Sequence, residues 1–283
     1  MKQFFKINVW NSSLACLASE FAAIYAIYLI FSGYVSSLWL ALTFIVYMAI
    51  QISVSVGLHR YYTHRAFECA TFWQYFFALV GTLSFHASPI AFVHAHHTHH
   101  NFSDTDKDSH IVGWQFFFVR RYRVPAGMKS RVLIRLARDP FQLFLLDYGA
   151  LLCFLIFGLL YFISPILSLF GYVLPVALYF FFTAVHQTIS HSRHGPRDMQ
   201  WLELLMPTCE WRHAYHHKYP NRWDWGRFDI GSYLIRLIKT RIILVKLPFN
   251  LRCQTLMRPH GRCPKLQTCR IERATNIRCG KKK

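Results

Sequence analysis

Between Lys6 and Arg60, and again between Arg138 and Arg193, the sequence has no lysine or arginine. Acidic residues are scarce throughout: 13 Asp and Glu stand against 32 Lys and Arg, a formal charge of +19. Such a charge invites a nucleic-acid reading, but its distribution argues against one. Several apolar runs in the uncharged gaps approach the length of about 20 residues that crosses a bilayer's hydrocarbon. If the two gaps are helical hairpins, every cation falls on one side, which is the positive-inside pattern and needs no polynucleotide. The eight cysteines contain no CxxC pair, and Cys253, Cys263, Cys269 and Cys279 fit no common zinc module. Free thiols facing a reducing compartment are expected instead. Lys2 and Lys6 before an apolar stretch suggest a signal peptide, but that stretch outruns a typical h-region and a second apolar segment follows closely. No internal repeat is present.

What the sequence does have is 54% hydrophobic and 17% aromatic residues, arranged as four apolar segments. Expected membrane spans are residues 14–31, 38–57, 141–163 and 166–183, with both termini on the cytosolic side. Glu20 lies near the cytosolic end of the first. Ser32-Gly33 to Ser36-Ser37 make a tight turn, Asp139-Pro140 reads as an N-cap with proline at the first helical position, and Pro175 is placed to kink the fourth span. Thr71 to Val93 is also apolar, but crossing would separate the histidine clusters on either side of it. Trp73, His86 and Pro89 suit an interfacial or re-entrant segment, so it is read as non-spanning. Trp114 to Arg123 and Trp201 to Met206 are expected at the interface. Ile230 to Leu247 interleaves apolar residues with Arg236, Lys239, Arg241 and Lys246, as a basic amphipathic surface helix would. Residues 252–283 form a polar tail, read as partly disordered and separate from a main domain of residues 1–251.

Sixteen histidines are unevenly placed. Three clusters stand at the exits of apolar segments: His59-Arg60-Tyr61-Tyr62-Thr63-His64, His96-His97-Thr98-His99-His100 and His213-Ala214-Tyr215-His216-His217. They read HxxxxH, HxxHH and HxxHH. In the second, His96, His99 and His100 share one helical face and His97 points elsewhere. His59 and His64 lie about 140° apart on an α-helix, so they share a cavity only from its rim or across a helix end. Gln187 and His191, at i and i+4, share a face at the end of the fourth span. His86 and His186 read as satisfied core residues, and His110, His194 and His260 have no assigned role. Imidazole suits zinc, copper, iron or nickel. A zinc ion takes three or four protein ligands, so eight ligands imply two ions. Only one Glu-x-x-His triplet occurs, Glu210 to His213, which disfavours a soluble carboxylate di-iron bundle. Neutral imidazoles call for nearby carboxylates to orient them, and Asp104, Asp106, Asp108, Glu210, Asp224 and Asp229 are the candidates.

The set HRYYTH, HAHHTHHNFSDTDKDSH and EWRHAYHH, spaced around four apolar segments, resembles the membrane fatty acyl desaturases of the Δ9 acyl-CoA desaturase type, over roughly residues 14 to 247. The resemblance implies an all-α integral membrane protein: four transmembrane helices with a cytosolic helical cap holding a di-iron site. It implies an oxidoreductase that uses O2 and two electrons to introduce a cis double bond, at Δ9, into a saturated acyl chain. Carried over by position, the ligands of the two iron ions are His59, His64, His96, His99, His100, His213, His216 and His217. A ninth follows an Asn-x-x-x-His motif, matched here by Gln187 to His191, with His186 and His194 as nearby alternatives. Gln187 stands where an Asn would reach the metal through water. Ser109 replaces a usual proline. With no HPGG haem motif, electrons are expected from a separate ferredoxin-like or cytochrome b5-like partner, docking on a basic surface. The substrate would be acyl-CoA, acyl-ACP or a lipid within the bilayer, held in an apolar tunnel. A hydroxylase on the same scaffold and a histidine-rich metal transporter or sensor are the alternatives. The latter would need polar residues along the spans.

Overall fold

The computed structural model describes residues 6–7, 9–109, 130–192, 195–202 and 206–240. The expectations for residues 114–123, 241–247, 252–283, His110, His194 and His260 lie outside them; the helix expected over 230–247 ends at Ile238, where Lys239 turns extended and bridges to Cys69.

Among the described residues four helices are long and apolar enough to cross a membrane: Ser13–Phe31, Trp39–Thr63, Pro140–Ile163 and Pro165–Ile189. The first lies within α1 (Val9–Phe31) and the third is α6 (Pro140–Ile163). Their outward faces are apolar, with Phe31 and Phe162 about nine-tenths exposed at 88% and 90%. Only lipid would accept such faces at this density. Asp139 starts α6 as expected, its carboxylate accepting from the Phe141 N–H at 2.9 Å.

The second and fourth helices run further than their apolar stretches suggest, and for a shared reason. α2 (Trp39–Ile52) continues without a break into a π-helical segment, Ser53–Thr63, that carries the first histidine cluster. α7 (Pro165–Ser168) passes through a π turn, Leu169–Val173, into α8 (Leu174–Ile189). In the π turn the Leu174 N–H donates to the Leu169 carbonyl. The next carbonyl, Phe170, would look to residue 175 for its donor, and proline has none. The Thr43 hydroxyl fills the gap from the second span at 2.7 Å. Pro175 therefore shifts the hydrogen-bond register before it and ties the second and fourth spans together.

The stretch from Thr71 is not one of the four long helices. It forms α3 (Thr71–Leu83), only 13 residues and so about 20 Å long. Phe85 then takes a left-handed conformation (φ 57°), and α4 (Pro89–Phe102) begins afresh. The Ser88 hydroxyl caps α4 by accepting from the Ala91 N–H, with Pro89 at the first turn. α3 lies tight against the π-helical segment: a Cβ on Gly57 would fall 2.3 Å from Phe77 Cβ, and one on Gly81 2.9 Å from Leu58.

The remaining elements are short: α5 (Arg131–Leu136), an antiparallel pair β1 (His191–Ser192) and β2 (Gly195–Pro196), α9 (His213–Lys218) and α10 (Ile230–Ile238). A single 3-10 turn, Gln200–Leu202, is what is described of the expected 201–206 helix.

Candidate metal centre

The π-helical segment determines where His59 and His64 point. In it the His64 N–H donates to the His59 carbonyl, an i→i+5 bond of 3.1 Å. Five residues then complete about one turn, and the two rings lie on one face with centroids 5.1 Å apart. The α-helical estimate of about 140° between them is corrected by this register. α4 supplies His96, His99 and His100 from adjacent turns, α9 supplies His213, His216 and His217, and β1 supplies His191 just beyond the fourth span.

These nine rings gather in two groups, each with its nitrogens within 4.8 Å of one another: His59, His64, His96, His100 and His216, and His99, His191, His213 and His217. Within the first, Nε2 atoms approach at 3.0 Å (His59 to His216), 2.9 Å (His100 to His216), 3.0 Å (His100 to His96) and 3.1 Å (His96 to His64). Within the second they approach at 3.1 Å (His99 to His217), 3.0 Å (His217 to His213) and 2.8 Å (His213 to His191).

The opposite edges of three rings meet carboxylates. His59 Nδ1 lies 3.1 Å from both oxygens of Glu210, His99 Nδ1 2.9 Å from Asp108, and His191 Nδ1 2.9 Å from Asp104. An Nδ1–H donated to a carboxylate leaves Nε2 with a bare lone pair facing inward. Burial, reinforced by neighbouring rings, holds His64, His96, His99, His213 and His216 well below the ordinary histidine range. The same causes bring His100 down to about 3 and His217 to about 4. Neutral rings whose lone pairs face one another at about 3 Å repel, and a cation between them converts repulsion into coordination. The donor set therefore fits a metal ion in each group, held by the nitrogens named.

Three of the six candidate carboxylates thus touch cage rings. Burial acts to raise the Glu210 carboxyl, but His59, Arg60 and the Ser55 hydroxyl outweigh it and bring it to about 2. Asp104 adopts φ 62°, a left-handed conformation that Asp tolerates, and its N–H donates to Asp108 at 3.1 Å. Ser109, in place of the expected proline, is buried and donates from its hydroxyl to the Ala95 carbonyl at 2.6 Å, tying this acidic turn to α4. The other three acids do different work. Asp106 is exposed, Asp224 pairs with Arg236 at 2.7 Å, and Asp229 pairs with Arg60 at 2.6 Å.

That last pair is the feature the sequence reading missed. Arg60 is fully buried and bonds Asp229, the Trp223 carbonyl and the Thr208 carbonyl. Its guanidinium lies 3.8 Å from the centre of the Trp225 ring, which in turn packs on His59 and His216 at 5.3 and 4.9 Å. An arginine inside the first histidine cluster was the only local hint. Elsewhere, His97 sits 3.3 Å from the Thr63 carbonyl, and His186 sits 2.9 Å from the Glu210 carbonyl with its ring 5.0 Å from that of His213. His86 is buried against Tyr179 and Phe92. The Gln187 side-chain oxygen is buried with no hydrogen-bond partner among the described residues, and Gln187 lines a small cavity with Gln51, Val54, Tyr179 and the cage rings His59, His96 and His213.

No protein-family model matches the chain. Individual proteins do. The Delta-9 acyl-lipid desaturase 1 of Arabidopsis thaliana is 26% identical over 246 residues, which is 79% of this chain and 80% of the relative. The acyl-CoA Delta(11) desaturase of Trichoplusia ni is 23% identical over 256 residues, 81% of this chain and 71% of the relative. The sn-1 stearoyl-lipid 9-desaturase of Anabaena variabilis is 34% identical over a shorter stretch of 107 residues, 34% of this chain and 38% of the relative. Plant, insect and cyanobacterial relatives share a single chemistry in their names. The chain is thus similar, over about four-fifths of its length, to acyl-lipid and acyl-CoA desaturases.

Proposed function

We propose that the protein is a di-iron fatty acyl desaturase that introduces a cis double bond at Δ9 of a saturated acyl chain, using O2 and two electrons. One observation carries the reading: nine inward-facing imidazole nitrogens in two groups, with carboxylates behind three of the rings. His59, His64, His96, His100 and His216 hold one ion, and His99, His191, His213 and His217 the other. Bound iron supplies the O2 activation that hydrogen removal from an unactivated methylene requires. The chain's own part is placement. Glu210, Asp108 and Asp104 fix the tautomers of His59, His99 and His191, and the Arg60–Trp225 stack holds His59 and His216 in place. Gln187, which lines the cavity beside His59, His96 and His213, offers its side-chain oxygen to a water there. The cavity bordered by Val54, Phe92 and Tyr179 gives a methylene pair an apolar place against the cage and keeps bulk water from it.

The Δ9 position and the carrier follow the relatives' printed names, which include acyl-lipid and acyl-CoA substrates and both 9- and 11-positions. The histidine cage faces the cytosol, on the side of the basic residues, where an acidic electron carrier of the ferredoxin or cytochrome b5 kind docks. Expression in a host without its own desaturase, followed by mass spectrometry of its fatty acids, tests the proposal. A Δ9 cis-monoene, lost in His99→Ala, with two irons per purified chain, is expected. A product that gains an oxygen instead of losing two hydrogens means a hydroxylase. Tight metal retention with no O2 consumption alongside substrate and reductant means a transporter or sensor.

A further inference from the structure

A second cavity, of about 290 Å³, has none of the cage histidines in its lining. Its walls include Gln200, Trp211, Arg212, Arg227 and Phe228. Arg212 and Arg227 form no ion pair among the described residues, and no described carboxylate lines the cavity. Arg212 is held in place, bonding the Trp225 carbonyl and stacking 4.4 Å from the Tyr215 ring. Arg227 is exposed and lies 5.7 Å from the Phe228 ring. Two cations and an amide around an open space call for an anion with several oxygens, and guanidinium groups favour phosphate.

The surroundings favour a phosphate that arrives on a lipid. Phe228 is 63% exposed, and Trp201, next to Gln200, is 59% exposed. The helix that follows, α10, adds Ile230, Tyr233 and Leu237 to its exposed residues, at i, i+3 and i+7 on one face. In a chain with four membrane spans, exposed aromatic and aliphatic groups beside arginines match the composition of the headgroup layer. A soluble phosphate compound would make no use of them.

We propose that this cavity binds the phosphate of an anionic membrane phospholipid, with Arg212 and Arg227 on the phosphate and Trp201 and Phe228 in the headgroup layer around it. It is distinct from the cage and does not depend on which metal the cage holds. The test uses the full-length protein in detergent with equimolar phosphatidylglycerol and phosphatidylcholine, and lipid retention read by native mass spectrometry. Phosphatidylglycerol is retained in preference, and Arg227→Ala lowers its retention about fivefold, equivalent to ~1 kcal/mol for one cation at a lipid surface. Arg227→Lys keeps most of it, Phe228→Ser weakens it, and added salt weakens it further. Metal content, read in the same samples, stays at the wild-type level in each variant. Equal retention of the two lipids by the wild type overturns the proposal. So does retention unchanged in both Arg227→Ala and Phe228→Ser. Displacement of the lipid by coenzyme A or inorganic phosphate at concentrations below that of the lipid also overturns it, since the ligand is then a soluble phosphate.

Discussion

The two histidine groups are made from similar rings but held by different means. All five rings of the first group ride on helical backbone or its final residue, and its carboxylate, Glu210, is joined to a buried network of Ser55, Arg60, Asp229 and Trp225. The second group takes three rings from α4 and α9, but its fourth, His191, stands on a two-residue strand. Its two carboxylates, Asp104 and Asp108, lie on the turn after α4. The first group is therefore anchored wholly through helices and the buried Arg60 network, and the second in part through the short β1 strand and the turn after α4. Damage to the first should reach global stability, and damage to the second should stay local.

Arg60→Ala is expected to have the largest effect. It strands the Asp229 charge in a fully buried position, which costs about 3–5 kcal/mol. Thermal unfolding should fall accordingly, and replacing the pair with Arg60→Met and Asp229→Leu should recover much of it. If Arg60→Ala unfolds like the wild type, the asymmetry between the groups is not there.

Next in size, Glu210→Ala and Asp108→Ala should each lower the retention of one metal equivalent by about 10–100-fold. Metal analysis after timed chelation would read this. The Glu210 variant should also lose thermal stability, and the Asp108 variant much less. Simultaneous loss of both equivalents from either variant would show that the groups are not separable.

pH gives a third handle. In the folded, metal-stripped chain, His64, His96, His99, His100, His213, His216 and His217 titrate below the unfolded value near 6.5. The unfolded chain thus binds more protons as pH falls, so stability is full above about 6.5 and declines below it. Metal occupying the lone pairs should displace this decline to lower pH, because protons must then compete with the ion. Denaturant midpoints from pH 8 to 5, with and without metal, are the measurement. A flat profile for the stripped protein contradicts the neutral-ring account.

Asp104→Asn should be the mildest change. Asn tolerates the left-handed backbone and still accepts from His191, losing only the charge in a bond worth about 1 kcal/mol more when charged. A few-fold loss of metal retention confined to the second group is expected, and a loss as large as that of Asp108→Ala would overturn this ranking.

The cage histidines were readable because their clusters repeat at the ends of apolar segments, a pattern that core packing alone does not generate. His96, His99 and His100 also obeyed simple helical spacing. His59 and His64 did not, because a π register leaves no local mark: it depends on Gly57 meeting Phe77 and on Arg60 finding partners far along the chain. The ends of the second and fourth spans were hidden for related reasons. Arg60 looks like a charged helix end but is neutralised inside the fold, and Pro175 redirects hydrogen bonds within its helix without ending it. Local chemistry selected Glu210, Asp108 and Asp104 as possible ring partners along with three other acids. Only tertiary contacts separate those that reach a ring from Asp229, which answers a buried guanidinium.

The separation in sequence between cage members has a consequence for how the protein is made. His59 and His216 touch through their Nε2 atoms although they stand 157 positions apart in the chain. On a ribosome adding about 5–20 residues per second, the earlier ring waits on the order of ten seconds or more for the later one. During that interval the first two clusters are an incomplete chelator, open to whichever ion the cell supplies most freely. A complete set of donors therefore exists only once the third cluster has been made, and cells that starve the nascent chain of competing zinc or copper should yield the more active protein.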